Sequence, residues 1–341
     1  MACALLGGCG GGSSAHDAGG DVQVTCTGRY AVARRRPEPI VVLDRSCAMQ
    51  DRLDGAGPAS GPTDTAGRWG AVRDALQAIA PGAIASGWGL VLFPDDPAAC
   101  SVPALRLDPT PGNGATLAAT VAMDGIVDPY ALCGGGTAEV AVESALVDAT
   151  SASTTLGASG GMPFVLLIAA GTPSCGSTVS SLGLAAMAPA LEIEVLLLGT
   201  PDATTAPLYE AIGANGGASR GSPSYGVAAT AGEVRAAIEA ALDARSGCIL
   251  DIVGTPAPDP DLLKVWIDGA EIPGDPDQGF SFSPGDQSIS LNGAPCDQLR
   301  AGAIRHIDVT SGCAAPQCVP LEETCDGLDN DCDGAVDEGC P

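Results

Sequence analysis

Two kinds of apolar pattern alternate along residues 38–246. Short unbroken apolar runs predict strands buried on both faces: Ile40-Val41-Val42-Leu43, Trp88 to Phe93, Phe164-Val165-Leu166-Leu167-Ile168, and Ile193 to Leu198. Between them, apolar residues recur at helical spacing. Trp69, Val72, Leu76 and Ile79 predict a helix stopped by Pro81-Gly82. Thr137 to Ala149 predicts another, with Val140, Ser144 and Val147 on one face. Thr230 and Glu233 have capping-box spacing ahead of a helix whose Val234, Ile238, Ala241 and Leu242 share a face, with Gly247 at its end. Leu105-Arg106-Leu107 predicts a short edge strand. Strands alternating with helices imply right-handed βαβ units, hence an α/β class with a doubly wound, mostly parallel sheet.

The pattern changes after residue 246. Pro256, Pro258, Pro260, Pro273, Pro276 and Pro284 exclude long helices. Val265 to Ile272 predicts a hairpin turning at Asp268-Gly269, residues suited to positive φ. Phe280 to Ser283 and Ser288 to Leu291 alternate around Pro284-Gly285-Asp286, a second hairpin, and Ile304 to Val309 adds a strand. A small antiparallel β module is therefore expected over 247–315, with Trp266 and Phe280 in its core, the alternative being a binding surface formed by the two. A Cys/Asp-rich tail follows over 318–341.

Net charge changes the picture of partners. With 41 acids against 15 bases, the formal charge is −26, which disfavours nucleic acid and anionic membrane surfaces and favours cations. The 14 cysteines are spread along the chain with no paired Cys-x-x-Cys clusters, the usage of an exported, oxidised protein. Cys47, Cys100, Cys133 and Cys175 read as loop staples, and Cys248, Cys296 and Cys313 as cross-links within the β module or ties to the neighbouring domain. His16 and His306 are the only histidines, and neither is placed to activate a nucleophile. With no phosphate loop either, the chain is expected not to be an enzyme.

At the amino terminus, Leu6-Gly7-Gly8-Cys9 followed by Gly10-Gly11-Gly12-Ser13-Ser14 resembles the lipobox and tether of bacterial lipoproteins. The resemblance implies a truncated signal and flexible tether over 1–25 and a lipid anchor on Cys9. The protein would then be exported to the outer membrane or cell surface, or otherwise be periplasmic or secreted, meeting membrane only through that anchor.

The first predicted strand ends Asp44-Arg45-Ser46-Cys47-Ala48, beyond the carboxyl end where α/β sheets bind ligands. This stretch resembles the first metal-site motif, Asp-x-Ser-x-Ser, of von Willebrand factor type A domains. Gly134-Gly135-Gly136-Thr137 resembles the second loop of that family, and Ala169-Ala170-Gly171-Thr172-Pro173 stands where the third loop carries an aspartate. The family binds an acidic partner group through an ion at these loops. Here the resemblance implies a degenerate metal-ion-dependent adhesion site. Asp44, Ser46 and Thr137 would form a weak Mg²⁺ site, with Ala48 and Ala170 offering no oxygen. The alternative is a rim held by hydrogen bonds, with Ser46 and Thr137 keeping Asp44 among backbone amides.

In the tail, Asp329, Asp331 and Asp333 stand at every second position before Gly334, the front half of a calcium loop. Ala335 would supply a carbonyl and Asp337 falls at position 9, but position 12 is Cys340, so this is no EF-hand. Cys325 to Cys340 resembles the Cys-Asp-Gly-x-Asp-Asn-Asp-Cys-Asp-Gly repeat of secreted MopE-like surface proteins, a metal-binding motif. The resemblance implies Ca²⁺ at Asp329, Asp331, Asp333, Ala335, Asp337 and Glu338. Together these features predict a non-enzymatic cell-surface binding or adhesion protein with a protein or surface ligand. The alternative is a structural envelope lipoprotein stabilised by disulfides and Ca²⁺.

Overall fold

In the computed structural model the described residues are 28–82, 87–94, 105–110, 112–122, 140–156, 162–187, 191–217, 221–245, 247–253, 258–285, 287–312, 323, 327–331 and 333–338. The amino-terminal strand β1 (Gly28–Arg34) leads into β2 (Pro37–Asp44), the heart of a six-stranded sheet. That sheet continues with β3 (Gly89–Phe93), β4 (Leu105–Leu107), β5 (Met162–Ala169), β6 (Glu192–Leu198) and β7 (Gly226–Ala228), in the order β4-β3-β2-β5-β6-β7. All its pairings are parallel except that of β4, which closes one edge antiparallel to β3. Numbered from β2, the order is 3-2-1-4-5-6, so the winding reverses between β2 and β5.

Every residue of β2 is buried, because both faces are covered. Val41 and Leu43 point to the layer of α1 (Arg68–Ile79), α2 (Gly114–Ala122) and α6 (Ala231–Asp243). Ile40 and Val42 point to that of α3 (Val142–Leu156), α4 (Val179–Met187) and α5 (Ala206–Asn215). The expected capping box forms: Thr230 Oγ1 accepts the Glu233 N–H, and the Glu233 carboxylate accepts the Thr230 N–H.

Three local expectations are corrected. Helix α3 begins at Val142, with Val140 and Ala141 not helical and Thr137 outside the described residues; its buried face is Val142, Ala145, Leu146 and Ala149, leaving Val147 52% exposed. A weakly amphipathic, Ala- and Ser-rich segment fits several faces, and docking on β2 and β3 chose among them. Gly247 does not cap α6, which ends at Asp243 with Ala244 as its C-cap. The last strand starts at Ile307 instead of Ile304.

The second sheet is wholly antiparallel and draws from both ends of the chain. It comprises β1, β8 (Ile249–Val253), β9 (Leu263–Ile267), β10 (Ala270–Ile272), β11 (Phe280–Ser283), β12 (Ser288–Leu291) and β13 (Ile307–Ser311), ordered β10-β9-β13-β1-β8-β12-β11. Asp268 and Gly269 have φ of 47° and 82°, the positive pair that a tight two-residue hairpin needs. Phe280 is buried in the core of this sheet, whereas Trp266 is half-buried and donates Nε1–H to Thr310 Oγ1 at 3.3 Å. Cys248, just ahead of β8, is disulfide-bonded to Cys296 in α7 (Ala294–Arg300), with 5.2 Å between their Cα atoms. Cys313 lies outside the described residues.

Strand β1 sits centrally, between β13 and β8, so the whole parallel sheet is an insertion between two neighbouring strands of the antiparallel one. The two crossings are tied together. Arg35 N–H donates to Ile249 O at 2.9 Å, Arg34 Nε–H to Gly247 O at 3.2 Å, and the Arg35 guanidinium meets Asp251 at 2.7 Å.

Candidate functional site

The winding reverses at the carboxyl ends of β2 and β5, the edge at which open α/β sheets hold their ligands. Asp44 ends β2 and is fully buried. Its Oδ1 accepts the Ser46 N–H at 2.6 Å, and its Oδ2 accepts the Ala170 and Gly171 N–H groups at 3.0 and 3.2 Å. Burial raises its pKa above the usual carboxylate value, and the backbone N–H groups of Ala170 and Ser46 only partly offset this. Ser46 Oγ lies close by, sealed from solvent and without a well-aligned partner.

Neighbouring groups complete the closure. Arg68 donates Nη1–H to Ala48 O at 2.8 Å and lies near enough to feel the charge of Asp44. Beneath the third loop, the buried Tyr209 hydroxyl donates to Gly171 O at 2.8 Å. Burial, and then the charge of Asp44, push the Tyr209 phenol well above its ordinary pKa.

A divalent ion needs hard oxygens that are free to face it. Among the described residues of this rim, both Asp44 oxygens are engaged by amides, and Ala48 and Ala170 bring no side-chain oxygen. The Asp44 carboxylate is thus held mainly by backbone amides, while Ser46 Oγ has no well-aligned partner. The structure brings Asp44, Ser46 and Gly171 together, whereas Thr137 and the glycine run 134–136 lie outside the described residues. Cys47 and Cys175, on the first and third loops, are both disulfide-bonded.

The acidic tail is built differently. Gly334, at φ 96°, makes a bend open to few residues but glycine, and brings Asp329, Asp331 and Asp333 together. One carboxylate oxygen from each lies within 4.8 Å of the others; Glu323, Asp331 and Glu338 form a second such group. Glu323 has no place in the sequence motif, yet it organises the loop. Its Oε1 accepts the N–H groups of Asn330 and Asp331 at 2.7 and 2.9 Å, and its Oε2 accepts that of Asp337 at 3.0 Å. Its one signal was the acidic pair Glu322-Glu323 just ahead of Cys325. Asp337 turns both oxygens to the Gly327 N–H, at 2.9 and 3.0 Å, and is in neither carboxylate group.

Asp329 is the informative residue. It is 9% exposed; its Oδ2 accepts the Gly334 N–H at 3.0 Å, while its Oδ1 is buried with no hydrogen-bond partner. A buried, unsatisfied carboxylate oxygen is costly unless a cation meets it. Crowding shows at Glu338 as well. Its own backbone N–H favours the charged form, but desolvation and the charges of Asp333, Glu323 and Asp331 outweigh this and raise its pKa. The donor set is all oxygen and strongly negative, and it fits a hard divalent cation.

No protein-family model and no curated protein sequence matches this chain. Among solved structures, it is similar to an aerotolerance-related membrane protein from Bacteroides fragilis. That match has 14% identity and a TM-score of 0.41, and covers 61% of this chain and 98% of the other. Proximal thread matrix protein 1 from the mussel byssus matches at 12% identity and TM-score 0.41, over 65% of this chain and 50% of its own. Manganese-loaded TRAP protein from Plasmodium vivax matches at 11% identity and TM-score 0.40, over 61% and 74%. Among the described residues, no helix is long and apolar enough to cross a membrane.

Proposed function

We propose that the chain is a non-enzymatic binding protein of a bacterial cell surface, built on a von Willebrand type A-like α/β unit. Its acidic tail holds a divalent cation, calcium first by ligand hardness. Asp329, Asp331 and Asp333 are its carboxylate ligands, and Glu323 and Glu338 stand beside them. The observation that carries the cation reading is the buried, unpartnered Oδ1 of Asp329 within a cluster of carboxylates. The rim at Asp44 serves as a protein or surface contact that needs no Mg²⁺, since its carboxylate is already spent on three amides. Export and a lipid anchor at Cys9 complete the reading, supported by the lipobox resemblance and the disulfides.

Calorimetry with CaCl₂ tests the tail: wild type should bind and Asp329→Asn should bind at least about tenfold more weakly. Equal affinities would remove Asp329 from the site. A pull-down from envelope extract tests the binding role. A partner retained by wild type and still retained in EDTA supports an ion-independent rim, while a partner lost in EDTA would place recognition at the tail.

A further inference from the structure

The tail loop does more than gather carboxylates: its neighbours are part of the antiparallel core. Leu328, one residue before the ligand Asp329, is 2% exposed and packs in the same cluster as Tyr30 and Val32 of β1. A cleft of about 20 Å³ marks the seam, with Tyr30, Ala31 and Val32 on one side and Leu328, Asp329 and Asn330 on the other. Asp329 is pinned at both backbone atoms. Its N–H donates to Arg305 O at 2.8 Å, and its carbonyl lies 3.0 Å from His306 Nδ1, just ahead of β13. One residue therefore carries the unsatisfied carboxylate oxygen and the backbone link to the segment just ahead of β13, and its neighbour Leu328 packs in the core with β1.

From this we infer that cation binding in the tail and the seating of β1 in the antiparallel sheet form one linked equilibrium, with Leu328 as the latch. The inference rests on the cation reading above. When Leu328 is seated, Asp329 is held with its carboxylate beside those of Asp331 and Asp333. When Leu328 leaves the core, the ligands lose that fixed geometry and β1 loses the cover over Tyr30 and Val32. Linkage makes the effect reciprocal: whatever the cation gains from a seated latch, the latch gains from the cation. Because β1 is also the strand through which the chain enters the α/β unit, the cation fastens the base of that insertion.

The test uses the full chain. Hydrogen exchange of the β1 amides in CaCl₂ and in EDTA is compared with that of Val41 and Val42 in the parallel sheet. Calcium is expected to slow β1 exchange about tenfold or more and to leave Val41 and Val42 unchanged. Leu328→Ala, which removes no cation ligand, is expected to weaken calcium binding roughly 5- to 100-fold. Should that variant misfold, exchange on wild type and on Asp329→Asn decides alone, since calcium must lose its effect on β1 in the latter. If wild type binds calcium but β1 exchange is the same in calcium and EDTA, the latch is overturned while the cation site stands. If wild type binds no calcium, the cation reading itself falls, and the latch with it.

Discussion

The carboxylate of Asp44 accepts the backbone N–H of Gly171 at 3.2 Å, a hydrogen bond spanning 127 positions of sequence. With the Ala170 N–H on the same oxygen, it stitches the end of β2 to the end of β5 at the point where the winding reverses. Asp44→Ala leaves the N–H groups of Ser46, Ala170 and Gly171 without their acceptor. Relief of a buried charge offsets part of the loss, so we expect a net destabilisation of about 2–5 kcal/mol. Urea unfolding monitored by circular dichroism measures it, and a change under 1 kcal/mol, about the size of an ordinary exposed substitution, would contradict the stitching role.

Gly171 must be small for the same reason. A Cβ there would lie 2.7 Å from Val140 Cγ2 and 3.3 Å from both Ala48 Cβ and Ser46 Oγ. Gly171→Ala should therefore cost about 1–3 kcal/mol by overpacking, read from the same unfolding curves.

Glu323 holds three N–H groups of the tail loop and is, by that count, a positioning residue for the carboxylates. Glu323→Gln keeps the size and loses the charge-assisted bonds. Calcium affinity should fall roughly 10-fold or more, with the thermal midpoint in EDTA changing much less. Unchanged affinity in calorimetry would reduce Glu323 to a bystander.

Asp202 supplies a pH dependence of definite sign. The Thr204 hydroxyl, then the Thr205 N–H, hold its carboxyl down at about 2 from the usual 3.8. A depressed folded pKa contributes stability above the unfolded value, and that stability is lost as pH falls through the folded one. Wild type should thus exceed Asp202→Asn in thermal midpoint at about pH 5, and the gap should close between about pH 4 and about pH 2. A gap that persists at the acid end would point to packing instead of charge.

The Cys248–Cys296 bridge closes a separation of 48 residues and ties the chain just ahead of β8 to helix α7. Replacing both cysteines by alanine should cost about 2–5 kcal/mol. Denaturant unfolding followed at Trp266, which lies in β9, reports on this sheet. A midpoint that does not move would show that the bridge only decorates a sheet already stable.

The alternation of branched apolar runs with helical spacing determined the doubly wound sheet, because strands buried on both faces leave no other pattern. It also determined the hairpin at Asp268-Gly269 and the capping box at Thr230, since turns and caps depend on residues a few positions apart. Helices α2, α4 and α5 escaped notice: they are Ala- and Gly-rich, and such composition has little contrast between faces. Strand β1 escaped as well: Tyr30 and Val32 are its only large apolar side chains, set among arginines and small residues, and its partners, β8 and β13, lie more than 200 positions away.

In the same way, the sequence showed which oxygens were missing from the rim and which were crowded into the tail. It could not show that Asp44 spends its carboxylate on amides of a distant loop, or that Glu323 braces the acidic turn. Nor could it show that Leu328 docks beneath the first strand. Local spacing encodes turns, caps and periodicity, because these are settled between near neighbours. Which buried carboxylate finds donors, and which is left with an oxygen unmatched, depends on groups brought together by packing across the whole chain, and only the tertiary structure decided that.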